Sequence, residues 1–272
     1  MIRLTALGWK ASDALARAGG SARVFAALSG SIYLTAGDVL LWLGRAGSPL
    51  HPRAILMRAP LPAARSTLTI AVGEARPWTP PAPARGRDAA RRLAAGVREL
   101  PGALAELGAP EGFGALLAGG APPFPLERAT PGARALAEAC ARDDPEAAVA
   151  AATALVGLGP GLTPSGDDYV GGAFFGRALL AAAGACDRDA WARAAGAVLA
   201  RARAQTHPIS VALLGDMLDG HGHAPLHELA GALAAGGDRR AAVDAARRLV
   251  AIGHSSGWDM LAGFVAAFPA RM

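Results

Sequence analysis

Up to about residue 75 the apolar positions come in short runs: Ala22–Ala27, Ser31–Thr35, Val39–Leu43, Arg53–Arg58 and Thr67–Val72. Gly30, Ala36-Gly37-Asp38, Gly44, Gly47-Ser48-Pro49 and Pro60–Pro62 separate them. Runs this short, punctuated by glycine and proline, predict strands, and their close spacing predicts a small antiparallel sheet or barrel. Ser12–Arg17 is expected to form a short helix ahead of it. His51 falls in a predicted surface turn. Arg76–Arg87, reading RPWTPPAPARGR, carries four prolines and can extend neither a sheet nor a helix. It reads as a stiff linker.

From Asp88 the spacing turns helical. Helices are predicted over Asp88–Leu100, Gly132–Arg142, Pro145–Val156, Pro164–Ala183, Asp187–Ala204, Pro208–Leu218, Pro225–Ala235, Arg239–Ala251 and Gly257–Phe268. Gly102–Leu117 is a weaker helical stretch and Gly119–Pro125 a loop. In Asp88–Leu100 the apolar stripe leaves Arg91, Arg92 and Arg98 outward. The expectation is an α+β chain. A β-rich N-terminal domain (1–75) and a Pro-rich linker (76–87) precede a larger α-helical bundle domain (88–272).

Composition changes this picture little. The 272 residues are 52% hydrophobic and 18% charged, which excludes a disordered chain. Aromatics are only 5% against 35 glycines, so small residues fill the interior and helices are expected to approach closely. The net charge of +5 comes almost wholly from arginines, Lys10 being the one lysine. No basic cluster is interleaved with aromatics, so these read as solvated helix faces and no nucleic-acid partner is expected. The apolar stretch Tyr169–Cys186 is interrupted by Arg177, which argues against a membrane span, and Met1–Ala18 does not read as a signal peptide. Two cysteines, Cys140 and Cys186, make no disulfide framework, and a cytoplasmic location is the simplest compartment.

The chemistry concentrates in three helix starts. Gly157–Asp168 reads GLGPGLTPSGDD. Gly157, Gly159, Gly161 and Gly166 let backbone approach something closely, and Pro160 and Pro164 stiffen the loop. Thr163, or alternatively Ser165 with Asp168 closing a box, is expected to cap the following helix. A glycine-rich loop feeding a helix N-terminus presents unpaired N–H groups and the positive end of the dipole to an anion. There is no Lys-Ser/Thr pair of a phosphate-binding P-loop, and Leu162 occupies the third glycine position of a dinucleotide fingerprint. The second start, GHSSGWD over Gly253–Asp259, repeats Ser-Gly-x-Asp with a glycine four residues beyond the second acid: Asp168 and Gly172 in one copy, Asp259 and Gly263 in the other. His254 lies inside that loop and is a candidate acid or base. The third start is Thr206-His207-Pro208-Ile209-Ser210. His221, His223 and His227 lack a metal-ligand spacing and read as a solvated loop, so no metal site is expected there.

These three motifs resemble those of the AllH-type subunit of oxamate carbamoyltransferase. The resemblance runs from about Ala147 to Ala267; the first third is similar only loosely, through Gly30–Gly44, and Tyr169 stands where a plainer apolar residue would be expected. It implies a role beside two other subunits in allantoin or purine-nitrogen breakdown, in an enzyme that exchanges a carbamoyl group between oxalurate and phosphate to give oxamate and carbamoyl phosphate; the alternative is a non-catalytic scaffold or ligand-sensing subunit that uses the same loops. The positions it implies for the substrate are Gly157, Gly159, Gly161, Thr163, Ser165, Gly166, Asp167, Thr206, Ser210, Ser255, Ser256 and Gly257. Asp168 and Asp259, with His254, are the candidate catalytic groups. These acids would repel bare small anions, which leaves three roles open: holding Mg²⁺, hydrogen-bonding the carbamoyl NH₂, or orienting the loops. No motif requires another cofactor.

Overall fold

A computed structural model describes residues 4–58, 60–63, 66–73, 76–236 and 238–268. The expected domain ends at residues 1–3, 74–75 and 269–272 lie outside the described residues. The chain divides into two compact units, Met1–Pro81 and Ala82–Met272, with the division inside the proline-rich stretch.

The first unit is a six-stranded sheet in the order β1-β5-β4-β3-β2-β6. Its strands are β1 (Leu4–Leu7), β2 (Ser21–Ala27), β3 (Ile32–Ala36), β4 (Val39–Arg45), β5 (Ala54–Met57) and β6 (Thr67–Thr69), with helix α1 (Trp9–Arg17) after β1. β3 and β4 form a hairpin closed by Gly37-Asp38, where Gly37 at φ 60° supplies the positive φ that a two-residue turn requires. One pairing departs from the antiparallel expectation: β4 and β5 run parallel. β1 carries no sequence signal of its own and completes the sheet beside β5. The core holds Leu7, Leu15, Leu34, Leu41, Leu43 and Ile55. His51 is buried against Trp42, not at a surface turn.

The second unit is helical: α2 (Arg87–Glu99), α3 (Thr130–Ala141), α4 (Pro145–Leu155), α5 (Ser165–Ala182), α6 (Arg188–Gln205), α7 (Pro208–Leu218), α8 (Ala224–Ala235), α9 (Arg239–Val250) and α10 (Ser256–Ala266). The stretch Gly102–Leu117 is not one helix but two 3-10 segments, Leu100–Glu106 and Gly112–Ala118. Gly108 and Gly112 adopt φ values of 103° and 52° between and within them, which breaks helical continuity. None of the described helices is long and apolar enough to cross a membrane.

α5 is the axis of this unit. It is buried on nearly all sides, and its neighbouring residues Phe174 and Phe175 enter two separate apolar clusters. One cluster centres on Phe175, Leu229, Leu249 and Phe264, the other on Phe113, Leu136, Leu155 and Trp191. α10 crosses α5 backbone against backbone. A Cβ at Gly172 would collide with the carbonyl oxygen of Met260 and lie 2.9 Å from the Phe264 nitrogen. A Cβ at Gly263 would collide with the carbonyl oxygen of Tyr169 and lie 3.0 Å from the Ala173 nitrogen. Every partner in the second set is the residue 91 positions before its counterpart in the first, so the crossing is reciprocal.

The crossing tolerates no methyl group. Gly172→Ala and Gly263→Ala should each lower unfolding free energy by about 1–3 kcal/mol, because backbone must move to make room. Gly196, in the middle of α6, has open space where its Cβ would stand. Gly196→Ala should therefore stabilise by about 0.5–1 kcal/mol. Denaturant midpoints for the three variants check this; equal effects at all three positions would overturn the packing role.

Candidate functional site

Three helix starts meet at the first turn of α5. Thr163 Oγ1 lies 3.3 Å from Ser256 Oγ, and Ser165 Oγ lies 3.3 Å from Ser255 Oγ, although about ninety residues separate the partners in sequence. The start of α7 joins from the other side, through Thr206 and Ser210. Glycines allow this convergence. A Cβ at Gly166 would strike the carbonyl oxygen of Leu155 at the end of α4, and one at Gly257 would strike that of Leu249 near the end of α9. Gly157, Gly159 and Gly161 all hold positive φ, folding the loop back on the helix it precedes. The backbone N–H of Gly166 closes that fold by donating to Leu158 O at 2.9 Å.

Neither expected cap forms. Pro164 occupies the cap position of α5 and Ser255 that of α10, and neither helix has a side-chain cap. Thr163 and Ser165 direct their hydroxyls across to the other helix start, and the N–H groups of Asp167 and Asp168 turn back to Pro164 O. These N-termini therefore lack the local side-chain acceptor that ordinarily satisfies such a helix end.

The adjacent acids Asp167 and Asp168 do different work. Asp167 is 1% exposed and its carboxylate is fully engaged. Oδ1 accepts from the Gly157 N–H at 2.6 Å; Oδ2 accepts from the Thr206 and Ser210 hydroxyls, each at 2.5 Å. It clamps the glycine loop to the α6–α7 junction. Asp168 is only partly buried, but its Oδ2 is buried and accepts no hydrogen bond. Burial pushes its carboxyl well above the ordinary carboxylate range; the Ser256 hydroxyl opposes this, while Asp259 and Asp167 add to it.

Asp259 is 0% exposed. Its Oδ1 accepts from the Phe113 N–H at 2.6 Å, and its Oδ2 is buried and accepts no hydrogen bond. Burial raises its carboxyl to about 6; the Phe113 N–H and the nearby Ser165 and Ser255 hydroxyls pull the other way, and Glu111 adds a raising charge. The Gly112–Phe113–Gly114 turn is a contributor that sequence reasoning missed. A Cβ at Gly112 would meet the Asp259 carboxylate, and one at Gly114 would meet the Trp258 ring at 2.9 Å. Two glycines flanking a phenylalanine were the available signal. His254 is exposed in the turn before α10. Three clefts of about 350, 860 and 460 Å³ open elsewhere in the helical unit, and none is lined by this cluster.

The His221–His227 segment is not the solvated loop expected. His227 is 6% exposed, packs edge-on against Phe175 and accepts from the Gly222 N–H at 3.1 Å. Burial lowers both His223 and His227 to about 4, with the buried Asp216 opposing this at His223. Among the described residues no group of three or more His, Cys, Asp or Glu could hold a metal ion.

Two outcomes follow. Asp167→Asn offers one acceptor oxygen to three donors and should cost about 1–3 kcal/mol for each donor left unpaired, seen as a fall in unfolding free energy. The histidines impose a pH dependence. Their folded-state values lie below the unfolded 6.5, so the unfolded chain binds more protons and stability falls as pH drops from about 6.5 towards 4. That loss should shrink in His223→Asn; an unchanged pH profile would place His223 in solvent.

No curated protein and no solved structure matches the chain. Residues 155–268, the stretch that holds all three helix starts and the cluster they build, match the family model described as oxamate carbamoyltransferase subunit AllH.

Proposed function

We propose that the chain is a subunit of an oxamate carbamoyltransferase and that the hydroxyl and acid cluster between α5 and α10 is where it takes its small ligand. The observation that carries the reading is the convergence of Ser165 and Ser255, 3.3 Å apart, inside the segment that matches the subunit's family model. Two helix N-termini without side-chain caps offer positive dipole ends to an anion. Thr163, Ser165, Ser255 and Ser256 surround that point with hydroxyls able to donate or to accept.

The reaction moves one carbamoyl group. In the phosphorolytic direction a phosphate oxygen attacks the carbamoyl carbon of oxalurate, the bond from that carbon to the oxamate nitrogen breaks, and the proton lost by phosphate goes to that nitrogen. Carbamoyl phosphate and oxamate result, with atoms and charge conserved. Charge develops on the carbamoyl oxygen as the carbon becomes tetrahedral, where hydroxyl donors and helix dipoles stabilise it most. Asp168 and Asp259 supply acid groups at the same place; Gly157, Gly159, Gly161, Gly166 and Gly257 let the loops and helix starts pack closely enough to build it. Asp167, Thr206 and Ser210 hold the loop. Other subunits supply the remainder of the active site.

The test is phosphate-dependent breakdown of oxalurate by the assembled enzyme. Asp168→Asn keeps the side chain's size, and its loss of dipole interaction should cost only about 0.3–1 kcal/mol of folding. Turnover should nonetheless fall at least about tenfold, equivalent to ~1.4 kcal/mol. Ser165→Ala and Ser256→Ala should act in the same direction. Full activity in all three variants would make the chain a scaffold that takes no part in the chemistry.

A further inference from the structure

The reciprocity of the α5–α10 crossing extends to the acids. Ser165, Gly166, Asp168 and Gly172 correspond to Ser256, Gly257, Asp259 and Gly263, each pair 91 residues apart. The two helices exchange partners: the Ser256 hydroxyl lies beside Asp168, and the Ser165 hydroxyl beside Asp259. Gly166 and Gly257 each pass under a leucine carbonyl of the preceding helix, and Gly172 and Gly263 each meet the other helix's backbone. A pseudo-twofold axis thus runs between α5 and α10 and relates the two carboxyl groups.

One contact breaks the symmetry. The Phe113 N–H donates to Asp259 Oδ1 at 2.6 Å, a bond that favours an ionised carboxylate. Asp168 has the Ser256 hydroxyl but receives no backbone N–H, and the charges nearest it are those of Asp167 and Asp259. Two neighbouring carboxyls out of water do not both ionise readily; one holds a proton. Each still has a buried Oδ2 with no partner.

We propose that Asp168 and Asp259 form one acid–carboxylate pair across this axis, and that the group it takes is a primary carboxamide. Such a group has the complementary face, its NH₂ donating to the Asp259 carboxylate and its carbonyl oxygen accepting from the Asp168 carboxyl. The proposal rests on reading this cluster as the ligand site and names which end of the ligand enters it. It also accounts for acids at a site for anions: the pair binds the neutral amide end, and the helix N-termini meet the charged end. Asp167 on α5 and Glu111 ahead of the Gly112 segment are the other acids facing the pair. Asp167 is saturated by three donors, and Glu111 bears on Asp259 only.

Oxamate and oxalate are nearly isosteric and differ by NH₂ against O⁻, which makes them the probes. Calorimetry on the full chain at about pH 7 should show oxamate binding at least about tenfold tighter than oxalate. Asp259→Asn presents an amide in place of the carboxylate and should erase or reverse that preference. A second measurement needs neither ligand nor a foldable variant: the infrared carbonyl stretch of a protonated carboxylic acid should persist at neutral pH in the wild-type chain. Where Asp168→Asn folds, it should lose that band. Equal affinity for the two probes, binding of neither, or no protonated acid at neutral pH would overturn the pair. Full carbamoyl transfer in Asp168→Asn, with the oxamate preference of the wild-type chain intact, would instead remove the catalytic reading and leave the pair standing.

Discussion

The α5–α10 crossing is the constraint from which the site follows. Gly172 and Gly263 bring two helix backbones into direct contact, closer than any side chain permits. Both glycines lie four residues after an acid, one turn further along the helix, so the contact that joins the helices also sets their first turns side by side. Serines that would otherwise cap their own helices then reach across to the neighbour. Wider spacing, as between leucine-faced helices, would separate the two carboxyls and return each hydroxyl to its own N-terminus.

This arrangement explains why the unit is rich in glycine and alanine. Large side chains enter the two apolar clusters beside the crossing, as Phe174, Phe175 and Phe264 do, and glycines sit where the backbones meet. The packing gained around the aromatics offsets what the crossing gives up in side-chain burial. Asp167 supplies the remaining rigidity. By accepting from Gly157, Thr206 and Ser210 it ties a glycine-rich loop to a helix junction. Without that tie the loop's conformational freedom would oppose a preformed site.

Much of this was legible before the structure. Helix positions followed from apolar period and proline placement, because Pro145, Pro164 and Pro208 mark helix starts in sequence as they do in space. The repeated Ser-Gly-x-Asp pattern and the glycine four residues beyond it were readable, but that Gly172 and Gly263 pack against each other's helix was not. The parallel β4–β5 pair was not, since strand direction depends on how a connection runs and not on the strand's own residues. The division of labour between Asp167 and Asp168 was equally hidden. Adjacent residues on a helix point about 100° apart, and which one meets Thr206 depends on where α7 packs. The histidines misled for a related reason: polar residues around Gly220 and Pro225 look like a loop in water, yet packing buries His227 and half-buries His221 and His223.

The price of the arrangement is electrostatic. Asp259 is held out of water with its carboxyl at about 6, a state that a site built for stability alone would replace with an apolar residue. The Phe113 N–H relieves part of the strain on Oδ1, and among the described residues Oδ2 accepts no hydrogen bond. Gly112 deepens the point: its positive φ and missing side chain keep space for the Asp259 carboxylate that any other residue would fill. The fold thus makes room for a buried acid, orients one oxygen of it, and leaves the other unpaired. A purely structural acid is treated differently in the same unit, since Asp167 is as buried and has both oxygens satisfied. Two acids of one cluster, on two different helices, thus meet opposite surroundings: one has both oxygens paired, the other keeps an oxygen open at the cost of its own desolvation.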